Sequence, residues 1–126
     1  MTRDARQPEG LPRPTSPYSP VVVGAGLAFI SGQVALDASG RIVPGGIAEQ
    51  TRQVLTNLRA CLEAAGATMD DVVKVTAFLA DLGDFAAFNE EYAGHFAEPR
   101  PARSTVEVGL AAGLLVEIEA VAVLPT

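Results

Sequence analysis

The stretch Arg100-Pro101-Ala102-Arg103-Ser104-Thr105-Val106-Glu107-Val108 is the most informative in the chain. Arg103 stands where a proline-stiffened loop meets a strand. An arginine held there presents a planar fork of donors that suits a carboxylate bidentately. The other reading is an ion pair at a subunit contact or at an exposed strand end. Glu117 and Glu119 share one face of a later strand, because strand side chains alternate, while Val116, Ile118 and Ala120 take the other. Such carboxylates form either a solvated sheet face or, with one of them buried at an oligomer seam, a group that positions or activates water. Glu107 is a third candidate by the same alternation. Asn89 lies at the edge of an apolar helical face, where it bonds either a neighbouring loop or a ligand. Tyr18 is either a packing lid or a hydrogen-bonding pocket wall. Gly32, in Ser31-Gly32-Gln33, either admits a ligand to the backbone or marks a bulge.

Other chemistries are poorly served. There is one cysteine, Cys61, and one histidine, His95, so one chain can form neither a disulfide nor a His/Cys zinc cluster. Carboxylates with a recognisable metal-ligand spacing are missing too, and no metal or cofactor is expected. Gly24-Ala25-Gly26 starts like a dinucleotide fingerprint, but the third glycine is missing and a strand follows. No serine sits in an elbow motif. Cys61 falls on the buried stripe of a helix, where a structural thiol is expected. The formal charge is −6, which disfavours a nucleic acid or an anionic membrane surface as partner. The chain carries no apolar run that would span a bilayer and no signal-peptide pattern, so a cytoplasmic protein is expected.

These residues need a scaffold, and 126 residues make one domain. Residues 1–16, with Pro8, Pro12 and Pro14, read as a loose, extended tail, and residues 17–126 as the domain. Strands are expected at Val21–Val23 and from Leu27 through a kink to Leu36, with a brief return at Arg41–Val43. A helix is expected from Ile47 to Ala65, with Val54, Leu55, Leu58, Cys61 and Leu62 on one stripe and Gly66 as its stop. Val72–Leu79 reads as a central strand, apolar on both faces. Asp84 is expected to cap a second helix from Phe85 to about Phe96, with Phe85, Phe88, Tyr92 and Phe96 inward. Strands at Thr105–Val108 and Leu114–Leu124 close the chain. The result is an α+β fold: a mixed, mainly antiparallel sheet with two helices on one face. The uncovered, partly apolar face implies a homo-oligomer.

Taken in order, these pieces resemble the RidA/YjgF family of enamine/imine deaminases. The resemblance runs from about Pro17 to Val123. It rests on Ser16-Pro17-Tyr18, Ile30-Ser31-Gly32-Gln33, Glu63-Ala64-Ala65-Gly66, Val73-Lys74-Val75-Thr76 and Asp81-Leu82-Gly83-Asp84-Phe85. Pro101 to Val108 and Val116 to Val123 carry it most strongly. It implies a trimer with ligand pockets between subunits. It also implies that Arg103 grips a substrate carboxylate, that Glu117 attends the hydrolytic water, and that Tyr18, Gly32, Asn89 and Thr105 line the pocket. Thr105 replaces a residue that is often cysteine. The segment from Asn89 to Arg103 is shorter than in many relatives, and Ala111 stands where proline is common.

The reaction so implied is hydrolysis of 2-imino or 2-enamino acids to 2-keto acids and ammonia. A protonated C=N carbon accepts water without a metal, so the protein has to orient the acid and place the water. Two rival readings share the pocket. One is a non-catalytic module that binds small carboxylic acids. The other is an endoribonuclease or translation inhibitor, as attributed to some relatives.

Overall fold

The computed structural model describes residues 3–126. In chain order the elements are β1 (Asp4–Arg6), β2 (Val21–Gly24), β3 (Leu27–Val34), α1 (Ile47–Ala65), β4 (Val72–Leu79), α2 (Phe85–Ala93), β5 (Ala102–Glu107) and β6 (Val116–Val123). The six strands form one sheet in the order β1-β2-β3-β6-β4-β5. Every pairing is antiparallel except β4 with β5. A parallel pair cannot be joined by a hairpin, so the chain crosses between them through α2.

The helix α1 forms where its apolar spacing places it. Val54, Leu55, Leu58, Cys61 and Leu62 are fully buried along one stripe. At its start the Glu49 carboxylate accepts the Gly46 N–H at 3.0 Å. At its end Gly66 takes a left-handed conformation, φ 80°, and the Ala67 N–H reaches back to the Leu62 carbonyl at 2.9 Å. Truncating a stripe leucine to alanine removes roughly 2–5 kcal/mol. Two buried amides on the same helix tie it to the sheet. The Gln50 side chain donates to the Gly113 carbonyl and accepts the Leu115 N–H, both at 2.8 Å. The Asn57 side chain donates to the carbonyls of Val34 and Leu36. The exit of β3 and the approach to β6 are thus fixed to one helix.

Alternation divides the sheet. Val116, Ile118, Ala120 and Ala122 of β6 are buried beneath the helices with Val75, Ala77 and Leu79 of β4. Among the described residues, no helix covers the opposite face. Phe29 and Val123 on that face are each 47% exposed, a partly apolar surface.

Several expectations need correction. Asp4–Arg6 lies inside the stretch expected to be a loose tail, yet it pairs with Val21–Val23 as an edge strand. The prolines begin only at Pro8, so residues 4–6 keep their backbone donors. Arg41–Val43 contributes a single bridge, Ile42 to Leu36, in place of a strand. The helix α2 stops at Ala93, where Gly94 follows. Asp84 does stand at the N-cap of α2, but its side chain makes no capping bond; a 3-10 turn, Leu82–Asp84, precedes the helix, and Asp81 caps that turn by accepting the Gly83 N–H at 2.7 Å. Phe85, expected inward, is 42% exposed in the first turn of α2; Phe88, Tyr92 and Phe96 are buried as expected. The sixth strand begins at Val116, two residues later than expected, and β5 begins at Ala102, three residues earlier.

Candidate active site

The register of β5 on β4 decides where Arg103 points. Arg103 pairs with Val75 and Thr105 with Ala77, both buried on the helix side. Arg103 therefore rises toward α2. There the i, i+3, i+4, i+7 positions Phe85, Phe88, Asn89 and Tyr92 form one stripe. The guanidinium donates from Nη2 to Asn89 Oδ1 at 2.7 Å. Its Cζ lies 4.7 Å from the Tyr92 ring centre, 5.2 Å from that of Phe88 and 5.8 Å from that of Phe85. Each such cation–π contact is worth about 0.5–2 kcal/mol, more as water is excluded. Among the described residues no carboxylate lies within ion-pair distance of Arg103. The cation is thus held by neutral groups, with donors left over.

Two hydroxyls beside it are also unspent. Thr105 Oγ1 and the Tyr92 hydroxyl are buried without a hydrogen-bond partner. Burial pushes the Tyr92 phenol above its ordinary value, while the nearby Arg103 and Arg100 cations pull the other way. An unsatisfied buried hydroxyl costs about 1–3 kcal/mol.

A second group forms around Glu117. A bulge between Ile30 and Gln33 shifts the register of β3 on β6, after which Val34 faces Glu117. Gly32, in that bulge, has the Glu117 side chain lying directly over its backbone. A Cβ at Gly32 would stand 2.8 Å from Glu117 Cδ and overlap the carboxylate. Tyr18 meets this group only at Gly32, through a cavity that Glu117 does not line. Its segment is pinned to β3 by Ser31, whose Oγ donates to the Ser19 carbonyl at 2.7 Å and whose N–H donates to the Pro20 carbonyl at 2.9 Å. Tyr18 and Gly32 then line one cavity of about 90 Å³ with Gln33 and Val34. Burial, and secondarily the Glu119 charge, hold the Glu117 carboxyl above its ordinary value.

The two groups do not meet within one chain. Arg103, Asn89 and Thr105 lie on the helix side of the sheet; Glu117 lies on the bare side. β4 runs between β5 and β6, so the strands bearing them are also roughly 10 Å apart. The remaining candidates are occupied elsewhere. Glu107 accepts the Leu82 N–H at 2.9 Å and so fastens the turn before α2. Glu119 is exposed on the Glu117 face. Cys61 is buried and its thiol is pushed up to about 12, a poor nucleophile. His95 hydrogen-bonds Glu91 at 2.7 Å, and Arg52 pairs with the same carboxylate at 2.7 Å. Tyr92 and Phe88 are additions to the candidate site: sequence reasoning read them only as core, although they share the Asn89 stripe. No group of three or more His, Cys, Asp and Glu side chains among the described residues is placed to hold a metal. Nor is any described helix long and apolar enough to cross a membrane.

A family model described as Endoribonuclease L-PSP matches residues 9–124. The 2-iminobutanoate/2-iminopropanoate deaminase of Capra hircus is 46% identical over 114 residues, covering 89% of this chain and 83% of that protein. The crystal structure of RidA from the Antarctic bacterium Psychrobacter sp. PAMC 21119 superposes with a TM-score of 0.91 at 37% identity, covering 97% of this chain and 100% of the other. The chain belongs to the RidA/YjgF family. Within it, a RutC family protein of Pyrococcus horikoshii is 50% identical over 116 residues, covering 90% of this chain and 92% of that one. The α+β architecture, with two helices and a six-stranded mixed sheet, is that of RidA/YjgF structures.

Proposed function

We propose that the protein hydrolyses 2-imino and 2-enamino acids to 2-keto acids and ammonia, at sites formed where copies of the chain meet in a homotrimer. The observation that carries this reading is the Arg103 guanidinium, held by Asn89 and aromatic rings and left without a carboxylate partner. Such a cation is ready for an organic acid. The Capra hircus relative's name supplies the reaction class.

A second copy is needed because one chain sets Arg103 and Glu117 on opposite faces of the sheet. A neighbouring copy brings its Tyr18, Gly32 and Glu117 to the Arg103, Asn89 and Thr105 of the first. The bare, partly apolar sheet face is the surface available for that contact.

The chemistry then follows from the side chains. Arg103 fixes the substrate carboxylate, and the adjacent C2 carbon is presented as a protonated imine. An enamine reaches the same species by protonation at C3. Glu117, whose carboxyl is held above its ordinary value, accepts a proton from water as the oxygen bonds to C2. That gives an amino alcohol. Glu117 passes that proton to nitrogen and takes up the hydroxyl proton as the C–N bond breaks, so ammonia leaves and the C2 carbonyl forms. Positioning accounts for much of the gain, since water and carbon are held as one encounter.

The test is ammonia release from an imine made in situ by an amino acid oxidase. A charge-assisted contact is worth about 1.5–3 kcal/mol, so Arg103→Ala is expected to slow release roughly 10- to 100-fold. Sedimentation should find the assembly unchanged. An unaltered rate would remove the anchor. The formal charge of −6 offers little to an RNA backbone. RNA cleavage by highly purified protein, lost on the same substitution, would replace the deaminase reading with a ribonuclease.

A further inference from the structure

A second arginine stands at the same groove. Asn89, Tyr92, Ala93, Arg100, Pro101 and Arg103 line one open cavity of about 430 Å³. Tyr92 is 4% exposed, and its buried hydroxyl has only the Arg103 guanidinium near it. The cavity walls carry two guanidiniums three residues apart, joined by Pro101 and Ala102, which keep the segment extended. Arg100 and Arg103 both line this cavity, and against the rise that burial causes both cations lower the Tyr92 phenol.

Arg103 is spoken for by the carboxylate next to the reacting carbon. Arg100 is not. Its Nη1 pairs with Glu98 at 3.0 Å, and its Nη2 donates to the Ala93 carbonyl at 3.4 Å. Glu98 is 80% exposed, and an ion pair so open to water contributes only about 0–1 kcal/mol. A ligand carboxylate in the groove can therefore take its place at little cost. Two cations and a buried O–H donor around one cavity suit two acidic groups better than one.

We propose that the preferred substrates are imines of dicarboxylic amino acids, the C1 carboxylate on Arg103 and the side-chain carboxylate on Arg100. This rests on the deaminase reading and names its substrate class. The second anchor is distal to the reacting carbon, so it contributes uniform binding and is felt mainly in KM.

The experiment compares ammonia release from imines generated in situ from aspartate or glutamate with release from those of alanine or norvaline. The wild type is expected to give the higher kcat/KM on the dicarboxylic imines. Arg100→Ala should cut the dicarboxylic-to-monocarboxylic ratio about tenfold, through KM, and Arg100→Lys should restore part of it. Circular dichroism checks that the variants fold, and calorimetry of 2-oxoglutarate against 2-oxobutanoate reads the same ratio without turnover. A wild type that processes monocarboxylic imines at least as well, or a ratio that Arg100→Ala leaves unchanged, overturns the inference while the deaminase reading stands. No turnover of any imine overturns both.

Discussion

Around Arg103 the chain gathers neutral groups: an amide oxygen, aromatic faces and hydroxyls without partners. Around Glu117 it gathers a bare glycine, burial and a second carboxylate. The first setting holds a guanidinium in place while leaving donors free. The second unsettles an anion and biases it toward taking up a proton. A clamp needs the first environment and a proton acceptor needs the second. Placing them on opposite faces of one sheet keeps cation and carboxylate from neutralising each other inside a single chain. In the proposed assembly they would come together across a seam between copies.

The largest effect should come from breaking the two halves in separate chains. Arg103→Ala and Glu117→Ala are each expected to lose most of their activity. When the two variants are unfolded and refolded together, activity should return, because random pairing leaves about a quarter of the seams with both groups intact. Ammonia release from the mixture, compared with each parent, decides this; a mixture no better than its parents would place both groups in one chain's site.

A smaller effect tests the Glu117 half alone. Gly32→Ala puts a methyl where the carboxylate lies, and the end of a glutamate side chain can swing aside. The fold should therefore survive with a Tm near that of the wild type, while kcat falls roughly tenfold and keto-acid binding changes little. Equal losses in binding and kcat would show that Glu117 shapes the pocket as a whole.

The smallest effect is a matter of stability. The Glu117 carboxyl is held above its ordinary value, so ionising it costs the folded state. Below the ordinary carboxylate range both folded and unfolded chains carry the proton, and that cost is absent. Above the raised value it is present in full. Glu117→Gln should raise Tm at neutral pH, with the gain fading as pH falls through the carboxylate range. Thermal melts across that range would read it, and a gain that persisted in acid would point to packing instead of charge.

Much of the frame was legible from periodicity. The stripe of α1, closed by Gly66, gave its limits, and the β-branched run Val72–Leu79 gave β4. Alternation along β6 separated Glu117 from Val116 and Ile118. The site residues could be nominated by type and, through the family resemblance, by motif. What stayed hidden was anything set by register between distant strands. The side of the sheet taken by Arg103 depends on Val75 lying beside it, and that follows from how α2 carries the chain over. The β1 pairing was equally invisible, because three residues of a proline-rich stretch carry no periodic signal. Phe88 and Tyr92 were visible as apolar, but not as the surface on which a cation rests.

The two buried amides of α1 have one more consequence. Gln50 and Asn57 bind main-chain groups at the ends of β3 and β6, and Asn89 holds Arg103, with side chains that neither gain nor lose protons in the biological range. These three amide supports are thus indifferent to acidity. The carboxylates that brace α2, Glu107 on the Leu82 N–H and Glu91 with Arg52, are the parts of the frame that acid would reach.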